Sequence, residues 1–205
     1  MQRALNEKAK DKRKSHVLKC AEQIIQEKGL ENLSIASVAK KANLAVGTIY
    51  LYFPNKEDII AHLAIKSRKV LLQEFQASTV HLEDSLEKIR GILLAYLDFC
   101  KKYTFYYELV SFYESGLGLE ESKELLEASK KLTAFTANII REGKEQGTIR
   151  REINEKEFAF LLWGTAVGIA QLIHVKPTLL SAELEKDNDH FYFSYINLII
   201  KSLSY

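Results

Sequence analysis

Thr48, Tyr50 and Tyr52 set three hydroxyl groups on alternate positions of one short segment, and Lys56 follows four residues later. Hydroxyls and an ammonium at that spacing suit a row of phosphate oxygens, the contacts that position a protein on a nucleic-acid backbone without reading its sequence. Asn55 can cap a helix beginning at Lys56, with Asp58 at its third position favouring the dipole. The exposed N–H groups of that first turn and the Lys56 cation together suit a phosphate. Base reading is left to Ala45, Val46, Gly47 and Leu51, none of which can form a bidentate hydrogen bond. Apolar contact with thymine methyl groups is the direct readout still open to them. The expected target therefore has thymines at the centre of each half-site and is read substantially by shape.

The elements that must position these groups are legible on either side. Ser34 can cap a helix whose apolar residues Ile35, Val38, Ala39 and Ala42 recur at i, i+3, i+4 and i+7. Asn43 stands where that helix must stop, and asparagine tolerates the left-handed conformation of a C-cap. Leu44, Ile49 and Phe53 can then close back over the helix, leaving Val46, Gly47, Thr48, Tyr50, Leu51 and Tyr52 directed elsewhere. Two helices joined by so short a turn make a helix-turn-helix, whose second helix enters the DNA major groove. Upstream, Ser15 is expected to cap a helix carrying Val17, Leu18, Ala21, Ile24 and Ile25, which ends at Lys28-Gly29. Residues 15–53 thus form a three-helix unit, with Cys20 as a small packed residue inside it. Residues 1–14 hold Arg3, Lys8, Lys10, Lys12, Arg13 and Lys14 with few apolar residues. They read as a mobile or helical arm that adds phosphate contacts, or as a solubilising tail.

Charge is unevenly spread. Residues 1–70 hold 14 Lys/Arg against 7 Asp/Glu, whereas residues 71–205 hold 15 against 20, so a basic end is joined to a mildly acidic body. That is the electrostatic footprint of a DNA-binding module on a separate regulatory domain. Two prolines and nine glycines in 205 residues, with abundant Leu, Ile, Ala, Glu and Lys, predict an all-α fold. Cys20 and Cys100 show no CxxC spacing, and a charged N-terminal segment lacks the apolar run of a signal peptide, so a cytoplasmic location is expected.

The run Leu18…Ala21…Ile24…Glu27-Lys28-Gly29-Leu30, then Ser34-Ile35…Val38-Ala39…Ala42, then Gly47-Thr48-Ile49-Tyr50-Leu51-Tyr52-Phe53…Asn55-Lys56-Glu57-Asp58 resembles the TetR family of bacterial transcription regulators (TetR/AcrR type) over about residues 15–60. The resemblance implies an N-terminal DNA-binding domain, a C-terminal helical ligand-binding and dimerisation domain, and repression relieved by a small molecule. It also implies that Ser34, Ala45, Val46, Gly47, Thr48, Tyr50, Leu51, Tyr52 and Lys56 lie at the DNA. Asn43 stands where the family usually has glycine, and Ala45 where it commonly has serine, so no hydroxyl contact is expected at position 45.

The remaining chain reads as amphipathic helices over roughly 55–77, 83–102, an aromatic-rich 104–114, and one opened by Glu120, Glu121 and Glu124 and closed at Gly147. Residues 1–56 are expected to form the DNA-binding domain and 57–205 the ligand-binding and dimerisation domain. Tyr96, Phe99, Tyr103, Phe112, Phe135 and Trp163 can line an apolar pocket, with Glu108, Arg141 and His174 as the polar groups at hand, which points to a hydrophobic or acyl-like ligand. Residues 158–175 form the longest apolar stretch and contain Gly164-x-x-x-Gly168. Its length, Gln171 and His174 argue against a membrane span and for a helix buried on one face and packed on a partner subunit on the other. With a second apolar helix at 188–203, it predicts a homodimer through the helices at about 155–175 and 188–203, reading a near-palindromic operator in double-stranded DNA. No zinc-ligand spacing, GxSxG, HExxH or P-loop is present, and no cofactor or catalytic role is expected. The alternative is a helical ligand-binding or membrane-associated protein with no specific DNA target.

Overall fold

The computed structural model describes residues 2–107, 109, 122–185 and 187–205, with side chains from residue 9. Regular structure among the described residues is helical throughout. The helices are α1 (Gln2–Lys28), a 3-10 turn (Leu30–Asn32), α2 (Ile35–Ala42), α3 (Val46–Tyr50), α4 (Lys56–Thr79), α5 (Ser85–Lys102), α6 (Lys123–Gln146), α7 (Glu155–Val175), α8 (Pro177–Leu184) and α9 (Asn188–Leu203). Residues 104–107 are also helical. Glu108, Phe112, Tyr113, the Ser115–Gly118 break and the acidic pair Glu120 and Glu121 lie outside the described residues.

The chain divides into two compact units, one of Met1–Ser67 with Phe105–Leu125, the other of Arg68–Thr104 with Leu126–Tyr205. In the first, α1 packs on α2 and α2 on α3. Val17, Cys20, Ala21, Ile24 and Ile25 of α1 are buried with Val38, Ala39 and Ala42 of α2, and Ile49, Phe53, Ile59 and Leu63 are wholly buried. Ser34 caps α2 as predicted. Its Oγ accepts from the Ser37 amide at 3.0 Å while the Ser34 amide donates to Ser37 Oγ at 2.9 Å, a capping box made of two serines. Ser15 does not cap anything. The chain from Gln2 onward is rich in Ala, Lys and Arg and has no glycine or proline, so α1 runs straight through it. Glu22 of α1 takes the Lys66 ammonium of α4 at 2.7 Å and the Tyr106 hydroxyl, tying three segments of this unit together.

Asn43 sits at φ 53°, ψ 46°, and its amide and that of Leu44 bond back to Lys40 (3.3 Å) and Ala39 (3.0 Å). A Cβ-bearing residue without a local polar side chain is strained there, so Asn43→Ala should cost about 1–2 kcal/mol while Asn43→Gly should not. Urea midpoints of the two variants check this; equal midpoints would show that the backbone escapes the left-handed conformation.

In the second unit, α9 packs on α5 and α7. Wholly buried Tyr192 donates to Leu93 O at 3.0 Å, and the Tyr195 hydroxyl meets Leu162 O at 3.3 Å and Thr165 Oγ1 at 2.9 Å. Burial holds both phenols protonated, Tyr195 pushed up to about 12. Asn154 caps α7 through the Glu157 amide at 3.0 Å, and Gly147 ends α6 at φ 76°, as expected. A Cβ at Gly143 would lie 2.5 Å from Ile149 and 2.8 Å from Ser85, so α6 needs glycine for that close approach. Pro177 follows the end of α7, but it also begins α8, where its missing N–H and fixed φ cost nothing.

Candidate nucleic-acid interface

The α3 segment turns two residue sets in opposite directions. Ile49 and Phe53 are wholly buried, whereas Val46 is 44%, Tyr50 54% and Leu51 77% exposed. Gly47 is exposed as well, and a Cβ added there would meet nothing within 4 Å. Neither backbone conformation nor packing in the chain itself therefore accounts for glycine at this position. Thr48 and Tyr52 are half-buried at the margins of the same surface. Ala45 stands at the N-cap with no side-chain bond, as its lack of a hydroxyl requires.

The other residues expected to hold phosphate stand at the starts of α2 and α4. Asn55 Oδ1 accepts from the Asp58 amide at 2.7 Å, as predicted. Lys56 Nζ donates to Leu30 O at 3.3 Å, a contact the sequence did not indicate; an ammonium has two further N–H donors. Ser34 is exposed at the start of α2. Beneath α3, the Phe53 ring meets the His62 ring edge-on at 5.2 Å, and Lys14 Nζ stands 5.6 Å from its centroid. His62 Nδ1 bonds Asp58 O at 2.9 Å, a local contact on α4.

Residues 17–63 match the family of bacterial regulatory proteins named for tetR. Residues 17–63 are a TetR-family helix-turn-helix segment. The chain is 46% identical over 48 residues to the HTH-type transcriptional regulator YvdT of Bacillus subtilis, 23% of this chain and 25% of that one. The fatty acid metabolism regulator protein of Bacillus subtilis is 23% identical over 149 residues, 73% of this chain and 77% of the relative. Among solved structures, FadR of Bacillus subtilis in complex with stearoyl-CoA superposes with a TM-score of 0.73 at 20% identity, covering 92% of this chain and 98% of that one. FadR of Bacillus halodurans does so with 0.70 at 21%, covering 91% and 94%. At these identities the structures establish the TetR fold.

Burial pushes the Cys20 thiol up and that of Cys100 to about 12, far from the thiolate a nucleophile needs.

The described aromatic residues predicted for a ligand, and Arg141, lie in the second unit. Tyr96 and Phe99 are buried on α5, Tyr103 is half-buried, Phe135 half-buried on α6, and Arg141 exposed there. Phe99 and Tyr103 are in ring contact at 5.3 Å, and the Tyr103 hydroxyl donates to Glu74 at 3.2 Å. Half-buried Trp163 on α7 lies 6.2 Å from Phe160 and 5.6 Å from the Arg68 guanidinium. A groove of about 870 Å³ beside α5 is lined by Glu74, Leu94, Asp98 and Phe99 among others, so Phe99 is the predicted residue that reaches it. Arg68 was not singled out from sequence. It is nevertheless 7% exposed and sits on the stripe of Ala64, Leu71 and Phe75, a spacing that would have found it.

Proposed function

We propose that the chain is a dimeric repressor that grips a near-palindromic operator and releases it on binding a hydrophobic, acyl-type ligand. The observation that carries this reading is the outward set Val46, Gly47, Tyr50 and Leu51 standing over a fully buried Ile49 and Phe53. Residues 1–56 act as the reader and 57–205 as the ligand-binding and dimerisation part, working in the cytoplasm. Thr48, Tyr50, Tyr52, Ser34 and Lys56 hold phosphates, while Ala45, Val46, Gly47 and Leu51 meet base edges.

Dimerisation is supported by α7 and α9. Phe160, Leu161, Phe193 and Leu198 are exposed on them, and Cβ atoms at Gly164 and Gly168 would meet open space. Paired about a twofold axis, such faces would set the readers one DNA turn (~34–36 Å) or a multiple apart. By length and composition α7 could also cross a membrane. Its buried residues Ala159, Leu162, Ala166 and Ala170 pack within its own unit, which favours a subunit interface. A Leu161→Glu variant should sediment as a single chain of 23.5 kDa instead of twice that, and its DNA affinity should fall by about 100-fold as bivalent attachment is lost. An unchanged dimer would exclude α7, and recovery of the intact wild type with membranes would favour the alternative.

The acyl ligand is supported by what two similar proteins bind or regulate: stearoyl-CoA in one, fatty acid metabolism in the other. A buried Arg68 beside Trp163 is a group able to face an anionic head. Mobility shift of the gene's own upstream DNA tests the whole reading. Binding should occur and should be reversed by long-chain acyl-CoA; binding that no acyl compound reverses would remove the ligand class.

A further inference from the structure

Only one face of α5 is spent on the core of its unit. Ile89, Ile92, Leu93, Tyr96 and Leu97 are buried there. The stripe on the other side of the helix, Glu87, Gly91, Leu94 and Asp98 at i, i+4, i+7 and i+11, lines the groove of about 870 Å³ instead. The last turns of α4 form its second wall. Small residues give it room, Ala77 and Ser78 on α4 and Gly91 and Ala95 on α5. A Cβ at Gly91 would lie 3.1 Å from Ser78 O, so the two helices meet backbone to backbone at that point. Leu82, Leu94 and Phe99 supply hydrocarbon along the groove, and its volume is that of a small-molecule site, roughly 300–1,000 Å³. Neither Arg68 nor Trp163 lines it.

The charges around the groove are paired with one exception. Lys102 donates to Glu74 at 3.1 Å, and the Tyr103 hydroxyl donates to the same carboxylate. Arg90 reaches Glu87 at 3.4 Å and Asn197 of α9 at 3.1 Å. Lys101 turns to Asp189 of α9 at 2.6 Å. Every cation lining the groove is thus held by a carboxylate. Asp98, exposed in the middle of the stripe, has no ion-pair or side-chain hydrogen-bond partner among the described residues. An anion entering the groove would meet this carboxylate and find each lining cation already engaged. A ligand with a positive charge and an apolar body meets the reverse, an open charge partner beside a hydrocarbon floor.

We propose that the groove between α4 and α5 is a binding site for an amphipathic cation, its ammonium group paired with Asp98 and its hydrocarbon body laid along Leu94 and Ala95 toward Phe99. The inference does not rest on the reading of α3 as a DNA reader. It also differs from the site of an anionic acyl ligand, since Asp98 and Arg68 select opposite charges.

The test uses the full chain and isothermal titration calorimetry with octyltrimethylammonium, with octanoate and neutral octyl glucoside as matched probes. The ammonium should bind with a Kd of about 1 mM, the order expected of so small a ligand, and both other probes should bind at least about fivefold more weakly. Asp98→Asn, which keeps the shape of the side chain, should weaken the ammonium by about fivefold, as for an exposed ion pair. Ala95→Lys sets a competing ammonium at i+3 from Asp98, a helix-compatible change, and should weaken it by at least about tenfold. Affinity unchanged in both variants would place the ligand elsewhere in the chain and overturn the inference. Octanoate bound as tightly as the ammonium would overturn the charge assignment, and a wild type that binds no ammonium at ~10 mM would overturn the site.

Discussion

Phe53→Ala is expected to lose about 3–5 kcal/mol of stability, the range for deleting a fully buried aromatic ring. Phe53 has no solvent exposure, meets His62 edge-on at 5.2 Å and carries Lys14 on its face at 5.6 Å. Ile49, Ile59 and Leu63 of the same unit are equally buried. Native domains have only about 5–15 kcal/mol to lose, so the variant should unfold several degrees lower and bind DNA weakly at 37 °C. Chemical denaturation followed by circular dichroism measures it. A loss below about 1 kcal/mol would mean that the ring is not the keystone its burial indicates.

Gly47→Glu should do the reverse, leaving the fold intact and abolishing DNA binding. A side chain at Gly47 meets nothing within 4 Å, and its backbone is helical, so the fold accepts it. Glutamate lies in the first turn of α3, where its charge suits the dipole and its helix propensity exceeds that of glycine. Melting temperature should hold or rise slightly. At the DNA the same residue adds bulk where close approach is needed and a negative charge against phosphates, a juxtaposition that costs several kcal/mol. Affinity should fall by at least ~100-fold, since each 1.4 kcal/mol is tenfold. Unchanged affinity would place the contact surface elsewhere.

What the sequence revealed divides along a physical line. Ser34, Asn43, Asn55, Gly147 and Asn154 end or begin helices through bonds to residues three or four positions away, and rules of that range can be applied to a bare sequence. The alternation around Ile49 was legible for the same reason, since a five-residue helix has only two sides. Ser15 misled because the cap rule was applied where no breaker interrupts a run of good helix formers. The second role of Pro177, starting α8, was hidden because proline is as good a first residue as it is a stop. Lys56 on Leu30 O and Tyr106 on Glu22 join residues far apart in the chain, and no local pattern announces them. Arg68 shares the helical spacing of Ala64, Leu71 and Phe75, so its burial was legible in the sequence.

The most direct test of the central claim is the affinity of the wild-type chain for its own upstream duplex, measured across a salt series beside a duplex of scrambled sequence. Two chains should bind per site, with the upstream duplex preferred by about a thousandfold or more and log affinity falling linearly with log salt. Equal affinity for both duplexes at every salt concentration, unaltered by Gly47→Glu, would contradict the account.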